Sequence, residues 1–173
     1  MRKSKISAPV GFTPKAPMPK PTAAFADKQT RAGIIYRGPS LLDGKPIVAI
    51  AVYTDSNRKT GAVVQTYIIR EDIDPMTASR TGQDYSICGD CQHRGTVAPE
   101  KTKGTANDRT CYVALFQGPL QVYKAYNAGK YPMISLLEIQ SLGSGRFIRL
   151  GSYGDPACVP ADVWRVLCSE SLG

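Results

Sequence analysis

The feature that most constrains this sequence is a cluster of three cysteines with the only histidine of the chain. Cys88, Cys91 and His93 form a C-x2-C-x-H segment, and a polar loop of 17 residues separates His93 from Cys111. Three thiolates and one imidazole complete a tetrahedral shell around Zn2+, the closed geometry of structural zinc sites. The loop is rich in turn-forming residues and can fold back without a core of its own. We therefore predict a metal knuckle over residues 86–112, with these four residues as ligands.

The alternative cofactor is an iron–sulfur cluster held by the same three cysteines, with His93 as a fourth ligand or a neighbour. The spacing differs from the C-x3-C-x2-C signature of radical-SAM enzymes, and the ligand types favour zinc. The chain has five cysteines, an odd number, and in a reducing cytosol metal ligation explains clustered thiols better than disulfides do. Cys158 and Cys168 stand apart, and we interpret them as small buried apolar residues.

The basic character of the chain is concentrated at its N-terminus. The whole chain carries 22 Lys+Arg and 14 Asp+Glu; residues 1–32 hold seven of the basic residues and one acid, so residues 33–173 hold 15 and 13. Residues 1–32 also hold five of the 13 prolines and little periodic hydrophobicity, which predicts a disordered or polyproline-like tail. Such an arm can bind phosphate backbones without sequence preference; the alternative is a solubilising or docking tail. The candidate nucleic-acid contacts are Arg2, Lys3, Lys5, Lys15 and Lys20.

The composition predicts one globular domain, over residues 33–173, after this tail. Hydrophobic residues make up 42% of the chain, enough for a core. No apolar run approaches the 18 residues of a membrane span, and the N-terminus lacks the apolar segment of a secretory signal. We therefore expect a cytoplasmic protein that does not enter a membrane.

Within the domain, runs of β-branched and aromatic residues predict strands, and capping and turn residues predict helices. The predicted strands are Gly33–Arg37, Ile47–Thr54, Ala62–Arg70, Cys111–Phe116 and Phe147–Tyr153. The predicted helices are Pro75–Ser79 after an Asp74 N-cap, a helix from Gly118 to a Gly129 cap, and Pro160–Cys168. Residues 134–139 fit either a strand or a helix. The pattern predicts an α+β (or α/β) fold, with an antiparallel hairpin, a mixed sheet and a few helices.

Two places in this pattern are candidate ligand sites. The hairpin tip carries Asn57, Lys59 and Thr60, which suit either an anion-binding loop or a solvated turn. Arg149 and Asp155 flank the carboxyl end of the last predicted strand, where α/β sheets bind ligands; the alternative is a surface charge and a turn-forming residue. Outside the metal motif no histidine is available to complete an acid–base pair, so no catalytic residue is assigned.

Three sequence blocks resemble a family of phage and prophage proteins of unknown function. They are SICGDCQHRG at 86–95, RTCYV at 109–113 and QGPL at 117–120. Weaker blocks fit the same pattern: GPS at 38–40, NRKTG at 57–61 with Gln65, and RLGSYGDP at 149–156. The resemblance covers about Gly33 to Leu167. It implies a phage origin but no activity, and its longer members continue beyond the Gly-Asp-Pro segment with further strand–helix units.

These observations leave three functional hypotheses. The first is a zinc-stabilised binding module that acts inside the host cell, with nucleic acid or a host or phage protein as its partner. The second is an enzyme, or a shortened relative of one, with an iron–sulfur or zinc site and with Arg149 and Asp155 contacting substrate. The third is a virion structural or accessory protein in which Cys88 and Cys111 form a disulfide. The sequence does not define the oligomeric state.

Overall fold

The computed structural model describes residues 30–55 and 61–173. The elements, in chain order, are β1 Ala32–Pro39, β2 Pro46–Thr54, β3 Val63–Arg70, α1 Pro75–Thr81, α2 Tyr85–Cys88, α3 Gly118–Asn127, α4 Leu136–Gly143, β4 Phe147–Tyr153 and α5 Ala161–Cys168. Short 3-10 turns lie at Gln92–Arg94 and Pro156–Cys158. The predicted contacts of the tail (Arg2, Lys3, Lys5, Lys15, Lys20) and of the hairpin tip (Asn57, Lys59, Thr60) lie outside the described residues.

The strands form one mixed sheet in the order β1-β2-β3-β4. The pairs β1–β2 and β2–β3 are antiparallel, whereas β3–β4 is parallel. The two central strands are buried along most of their length, as expected where both faces of a sheet are covered. This architecture confirms the predicted α+β class. No helix within the described ranges is long and apolar enough to cross a membrane.

The register between β3 and β4 shifts after Gln65. At the shift the buried hydroxyl of Thr66 enters the ladder, accepting from the Gly151 N–H at 2.8 Å and donating to the Arg149 carbonyl at 3.3 Å. Gly151 has a φ of 62°, which a residue with a Cβ rarely adopts. The strand therefore changes direction at Gly151, and Ser152 and Tyr153 follow as its most buried residues.

The structure confirms the predicted start of α1 and the predicted glycine after α3. Asp74 caps α1 by accepting from the Met76 and Thr77 N–H groups, and Gly129 follows α3 with a φ of 67°. Of the ambiguous residues 134–139, the last four belong to α4, which begins after Ser135 because Ser135 and Glu138 form a reciprocal capping box. The remaining predicted strands and the final helix are confirmed to within two residues at each end.

The strand predicted at Cys111–Phe116 is wrong, since this segment is irregular, with a bend at Tyr112 and a turn that starts at Leu115. The guanidinium of Arg109 donates to the Cys111 carbonyl at 3.2 Å and to the Val113 carbonyl at 2.8 Å. Those two acceptors therefore bond a side chain instead of a neighbouring strand. Leu115 enters the core, whereas Tyr112 remains exposed.

Helices α4 and α5 pack closely against each other at Gly143. A Cβ on Gly143 would lie 1.9 Å from the Leu167 carbonyl oxygen, and both residues are buried. We expect Gly143→Ala to lower the free energy of unfolding by about 1–3 kcal/mol, because the added methyl group must push the helices apart. Urea denaturation measures the change. Ser141→Ala, an exposed substitution on the same helix, should stay within about 0.5 kcal/mol of the parent; equal effects of the two variants would contradict the packing described here.

Candidate metal centre and adjoining cavity

Helix α2 ends at Cys88, and the end of β4 holds this helix in place. The Asp155 N–H donates to the Ile87 carbonyl at 2.6 Å, and Ile87 is buried in the core. Cys88 packs against the core, whereas Cys91, three residues later, is exposed. The first half of the motif therefore starts inside the domain and turns outwards.

Backbone hydrogen bonds bring the second half of the motif against the first. The Cys91 N–H donates to the Cys88 carbonyl at 3.3 Å, and the Cys111 N–H donates to the His93 carbonyl at 3.1 Å. The His93 Nδ1 atom lies 2.9 Å from the Thr110 hydroxyl, which leaves Nε2 as the nitrogen available to a ligand. Metal-bound histidines usually have the other ring nitrogen hydrogen-bonded in this way.

The side chains of these residues do not converge on one point. Across residues 30–55 and 61–173, no group of three or more His, Cys, Asp or Glu residues is arranged to hold a metal ion. All five cysteines are free thiols, including the Cys88 and Cys111 pair of the disulfide hypothesis. The fold thus joins the four residues through their backbone, and the knuckle stays a prediction.

Burial controls the electrostatics of the first thiol. It raises the pKa of Cys88 to about 12, with further increases from Asp84 and from the Cys91 and Cys111 thiols, while Arg94 acts in the opposite direction. The three thiols are therefore electrostatic neighbours, and each ionised sulfur disfavours ionisation of Cys88. A thiol with this pKa is protonated at neutral pH, so a cation that binds it must displace a proton.

Two arginines hold the segment and place positive charge beside the thiols. Arg94 bonds the buried Asp84 carboxylate through Nε at 3.0 Å and donates to the Gly89 carbonyl at 2.8 Å and the Gly82 carbonyl at 2.9 Å. Burial raises the pKa of Asp84, and the Arg94 bond acts against that rise. Arg109 supports the other half through the carbonyls of Cys111 and Val113. A zinc ion with three thiolates and one neutral imidazole carries a net charge of −1, which these guanidinium groups would balance.

The hydroxyl of Tyr153 is a buried donor with no partner. The side chain is 3% exposed, and its oxygen makes no hydrogen bond within the described residues. Burial raises its pKa well above the usual value; Cys88, Asp84 and Cys111 raise it further, and Arg109 opposes them. The Cys88 and Cys111 thiols thus act electrostatically on a buried O–H that has no acceptor within the described residues. The donor types, three thiols and one imidazole, would suit Zn2+, although their side chains are not arranged around one point in the described residues.

The other predicted site residues fall in different places. Asp155 is exposed and accepts from the Ala157 N–H at 2.9 Å, capping the 3-10 turn at Pro156–Cys158. Cys158 is fully buried, as predicted, and Cys168 is half-buried. Arg149 lines a cavity of about 170 Å3 together with residues that the sequence did not single out, Ser152 among them. The sequence gives no signal for Ser152 or Tyr153, because a missing hydrogen-bond partner is a three-dimensional property.

Compared with protein-family models, curated proteins and solved structures, the chain has no match in any of the three. The resemblance to phage proteins therefore stays a prediction carried by the sequence blocks.

Breaking the Arg94–Asp84 pair should destabilise the domain strongly. Asp84 is 5% exposed and Arg94 19% exposed in their side chains, and removing one partner of a buried pair costs about 3–5 kcal/mol. We expect Arg94→Met to fall near the lower end of that range in chemical denaturation, with Arg94→Met/Asp84→Asn recovering part of the loss. The matched control is Arg165→Met, which removes the exposed Arg165–Asp162 pair and should cost at most about 1 kcal/mol. A loss no larger for Arg94→Met than for Arg165→Met would show that the buried pair does not support this segment.

Proposed function

We propose that the chain is a zinc-stabilised binding module, encoded by a phage and acting in the cytoplasm of the host cell, with nucleic acid as its partner. The observation that best supports a metal centre is the hydrogen bond from the Cys111 N–H to the His93 carbonyl. It holds the two halves of the motif together although 17 residues separate them. The sulfur atoms of Cys88, Cys91 and Cys111 and the Nε2 atom of His93 would bind Zn2+.

The metal would supply stability where the fold has few other sources of it. Between α2 and α3 the chain contains no β-strand and no α-helix; its regular structure is the 3-10 turn at Gln92–Arg94 and an isolated bridge between Thr96 and Asn107. Many side chains of this segment are exposed, so little apolar burial offsets the cost of ordering its backbone. Zinc binding contributes free energy to such a segment directly, since the unfolded chain lacks a preformed site.

Two features favour a binding role over an enzyme: zinc would use the one histidine, and a residue assigned to substrate caps a turn. His93 is the only histidine of the chain, and as a zinc ligand it would provide no acid–base catalysis. Asp155, one of the two residues that the enzyme hypothesis assigns to substrate, caps a turn. The basic arm gives the module a means of meeting a polyanion, because its positive charge increases the rate of encounter.

Elemental analysis of the purified protein tests the metal. We expect one equivalent of zinc and no visible absorbance. Cys91→Ser should lose the zinc and about 2.7 kcal/mol or more of unfolding free energy, the stabilisation that a ligand gives at 100 times its Kd. Cys168→Ser, a thiol outside the motif, is the matched control and should keep both. A brown protein that contains iron and sulfide would overturn the zinc assignment and support the enzyme hypothesis. An unaltered unfolding curve for a metal-free Cys91→Ser variant would show that the metal does not stabilise the fold.

Neutralising the arm tests the partner. Replacing Arg2, Lys3, Lys5, Lys15 and Lys20 by Gln should reduce the salt dependence of single-stranded nucleic-acid binding. If all five contact phosphates, the slope of log K against log salt should change by about 3.5, at about 0.7 per contact. The control replaces Lys45, Lys101, Lys103, Lys124 and Lys130, all exposed, and removes the same charge. Equal changes in the two variants, measured by fluorescence anisotropy over a salt series, would remove the arm from the proposal.

A further inference from the structure

A tight turn joins Cys88 to Cys91. The Cys91 N–H donates to the Cys88 carbonyl at 3.3 Å, and Gly89 between them has a φ of 55° and a ψ of −141°. A positive φ at this position belongs to type I′ and II′ turns, which favour glycine there. Such a turn keeps its first and fourth Cα atoms within about 7 Å of each other. A disulfide needs the same proximity, because cysteines with Cα atoms farther apart than about 7 Å cannot be bridged without backbone movement.

The two thiols of this turn differ in their access to solvent. Both are free thiols; Cys91 is exposed, whereas Cys88 is half-buried and packs against the core. An oxidant from solvent therefore meets Cys91 first, and the Cys88 sulfur is held on the other side of a four-residue turn. Reversible thiol oxidation uses this arrangement, in which an accessible cysteine is followed by a second cysteine that resolves it.

Cys111 is the competing partner for either thiol, because the electrostatic influence of its sulfur reaches Cys88. Its backbone is bonded to a different residue, since the Cys111 N–H donates to the His93 carbonyl at 3.1 Å. The turn, by contrast, bonds the backbone of one cysteine directly to that of the other. A bridge between Cys88 and Cys91 therefore needs no change in the backbone between them.

We propose that Cys88 and Cys91 are a reversible redox pair that hydrogen peroxide or an organic hydroperoxide oxidises to a disulfide. In the first step the Cys91 thiolate attacks the peroxide; an S–O bond forms, the O–O bond breaks, and the second oxygen leaves as water or an alcohol. In the second step the Cys88 sulfur displaces the oxygen from Cys91, so the S–S bond forms and that oxygen leaves as water. The two thiols together lose two electrons and two protons, which reduce one peroxide.

The oxidised turn would differ from the reduced one in two ways. An accessible disulfide exchanges with small thiols, so a cellular thiol would restore the pair. The disulfide would also remove two of the four predicted zinc ligands, because the metal binds thiolates, and oxidation would release the ion. The release of zinc rests on the proposed function, whereas the formation of the disulfide does not.

Peptide mass spectrometry of the full-length protein tests the pair. Trypsin cleaves after Arg80 and Arg94 and yields a peptide of residues 81–94, which contains Cys88, Cys91 and no other cysteine. After treatment with hydrogen peroxide and alkylation of the remaining thiols, we expect this peptide to be unalkylated and two hydrogens lighter. Dithiothreitol should reverse the change. The thiol count should fall by two from the five of the reduced chain.

Cysteine variants identify the partners. Cys111→Ser and Cys168→Ser should still give the lighter peptide, because neither residue belongs to the turn. Cys91→Ser should not give it.

Two glycine variants test the geometry of the turn. Gly89→Ala should slow formation of the disulfide by about fivefold or more, because a residue with a Cβ is strained at this φ and ψ. The added methyl group has room, since its nearest neighbour outside the turn is the Leu42 Cδ1 atom at 3.6 Å. The matched control is Gly104→Ala. Gly104 has a φ of 85° and open space around an added methyl group, and the variant should form the disulfide at the parent rate.

Three results would overturn the proposal. They are a disulfide that links the 81–94 peptide to the peptide containing Cys111, a sulfinic or sulfonic acid on Cys91 as the main product, and equal rates of disulfide formation in the two glycine variants. A protein without zinc that forms this disulfide would contradict the proposed function alone. A zinc protein that keeps both thiols of the turn under peroxide would contradict the redox pair alone, so the two failures are distinguishable.

Discussion

The structure depends on the parallel pairing between β3 and β4. Antiparallel neighbours can be joined by a short turn, but a parallel neighbour requires a long crossover. Here residues 71–146 make that crossover, and they contain four of the five α-helices of the described chain and the whole cysteine segment. The crossover returns the chain to the sheet at β4, whose carboxyl end then bonds α2 through Asp155 and Ile87. Parallel pairing places the carboxyl ends of β3 and β4 at the same edge of the sheet, so the α2 segment that follows β3 meets the residues that follow β4 there.

Most of the fold could be predicted from local chemistry. Runs such as Ile47–Thr54 have the β-branched residues of buried strands, and Asp74 and Ser135 have side chains that cap helices. The segment after Thr110 could not be predicted in this way, because its apolar run has the composition of a strand. In the structure its carbonyl groups accept hydrogen bonds from the Arg109 guanidinium and do not pair with another strand. Hydrogen bonds of this kind, from a side chain to the backbone, depend on tertiary position. The periodicity of hydrophobic residues along the sequence does not reveal them.

The candidate sites were predictable to different extents. The spacing of Cys88, Cys91 and His93 already indicated a metal motif, and the backbone bond to Cys111 agrees with it, but the direction of each thiol depends on rotamers and on a cation. Arg149 was singled out from the sequence as lying at the carboxyl end of a strand, but it is the third of the seven residues of β4. Its companion Ser152 was not, since nothing in the sequence distinguishes an unpaired buried hydroxyl from any other serine. The predicted anion site at the hairpin tip and the predicted nucleic-acid contacts of the N-terminal arm lie outside the described residues and stay predictions.

Ser152 and Tyr153 are consecutive residues of β4, and consecutive strand side chains point to opposite faces. Ser152 lines the cavity, and the Tyr153 hydroxyl is influenced electrostatically by the Cys88 and Cys111 thiols. Just before them, the Thr66 hydroxyl takes the place of regular amide–carbonyl pairing at Gly151. A side-chain hydroxyl therefore serves this one position of the ladder, and strand pairing resumes between Tyr67 and Tyr153. Because its acceptor is a side-chain hydroxyl, we expect the Gly151 amide to exchange hydrogen faster than the amides of the buried central strands.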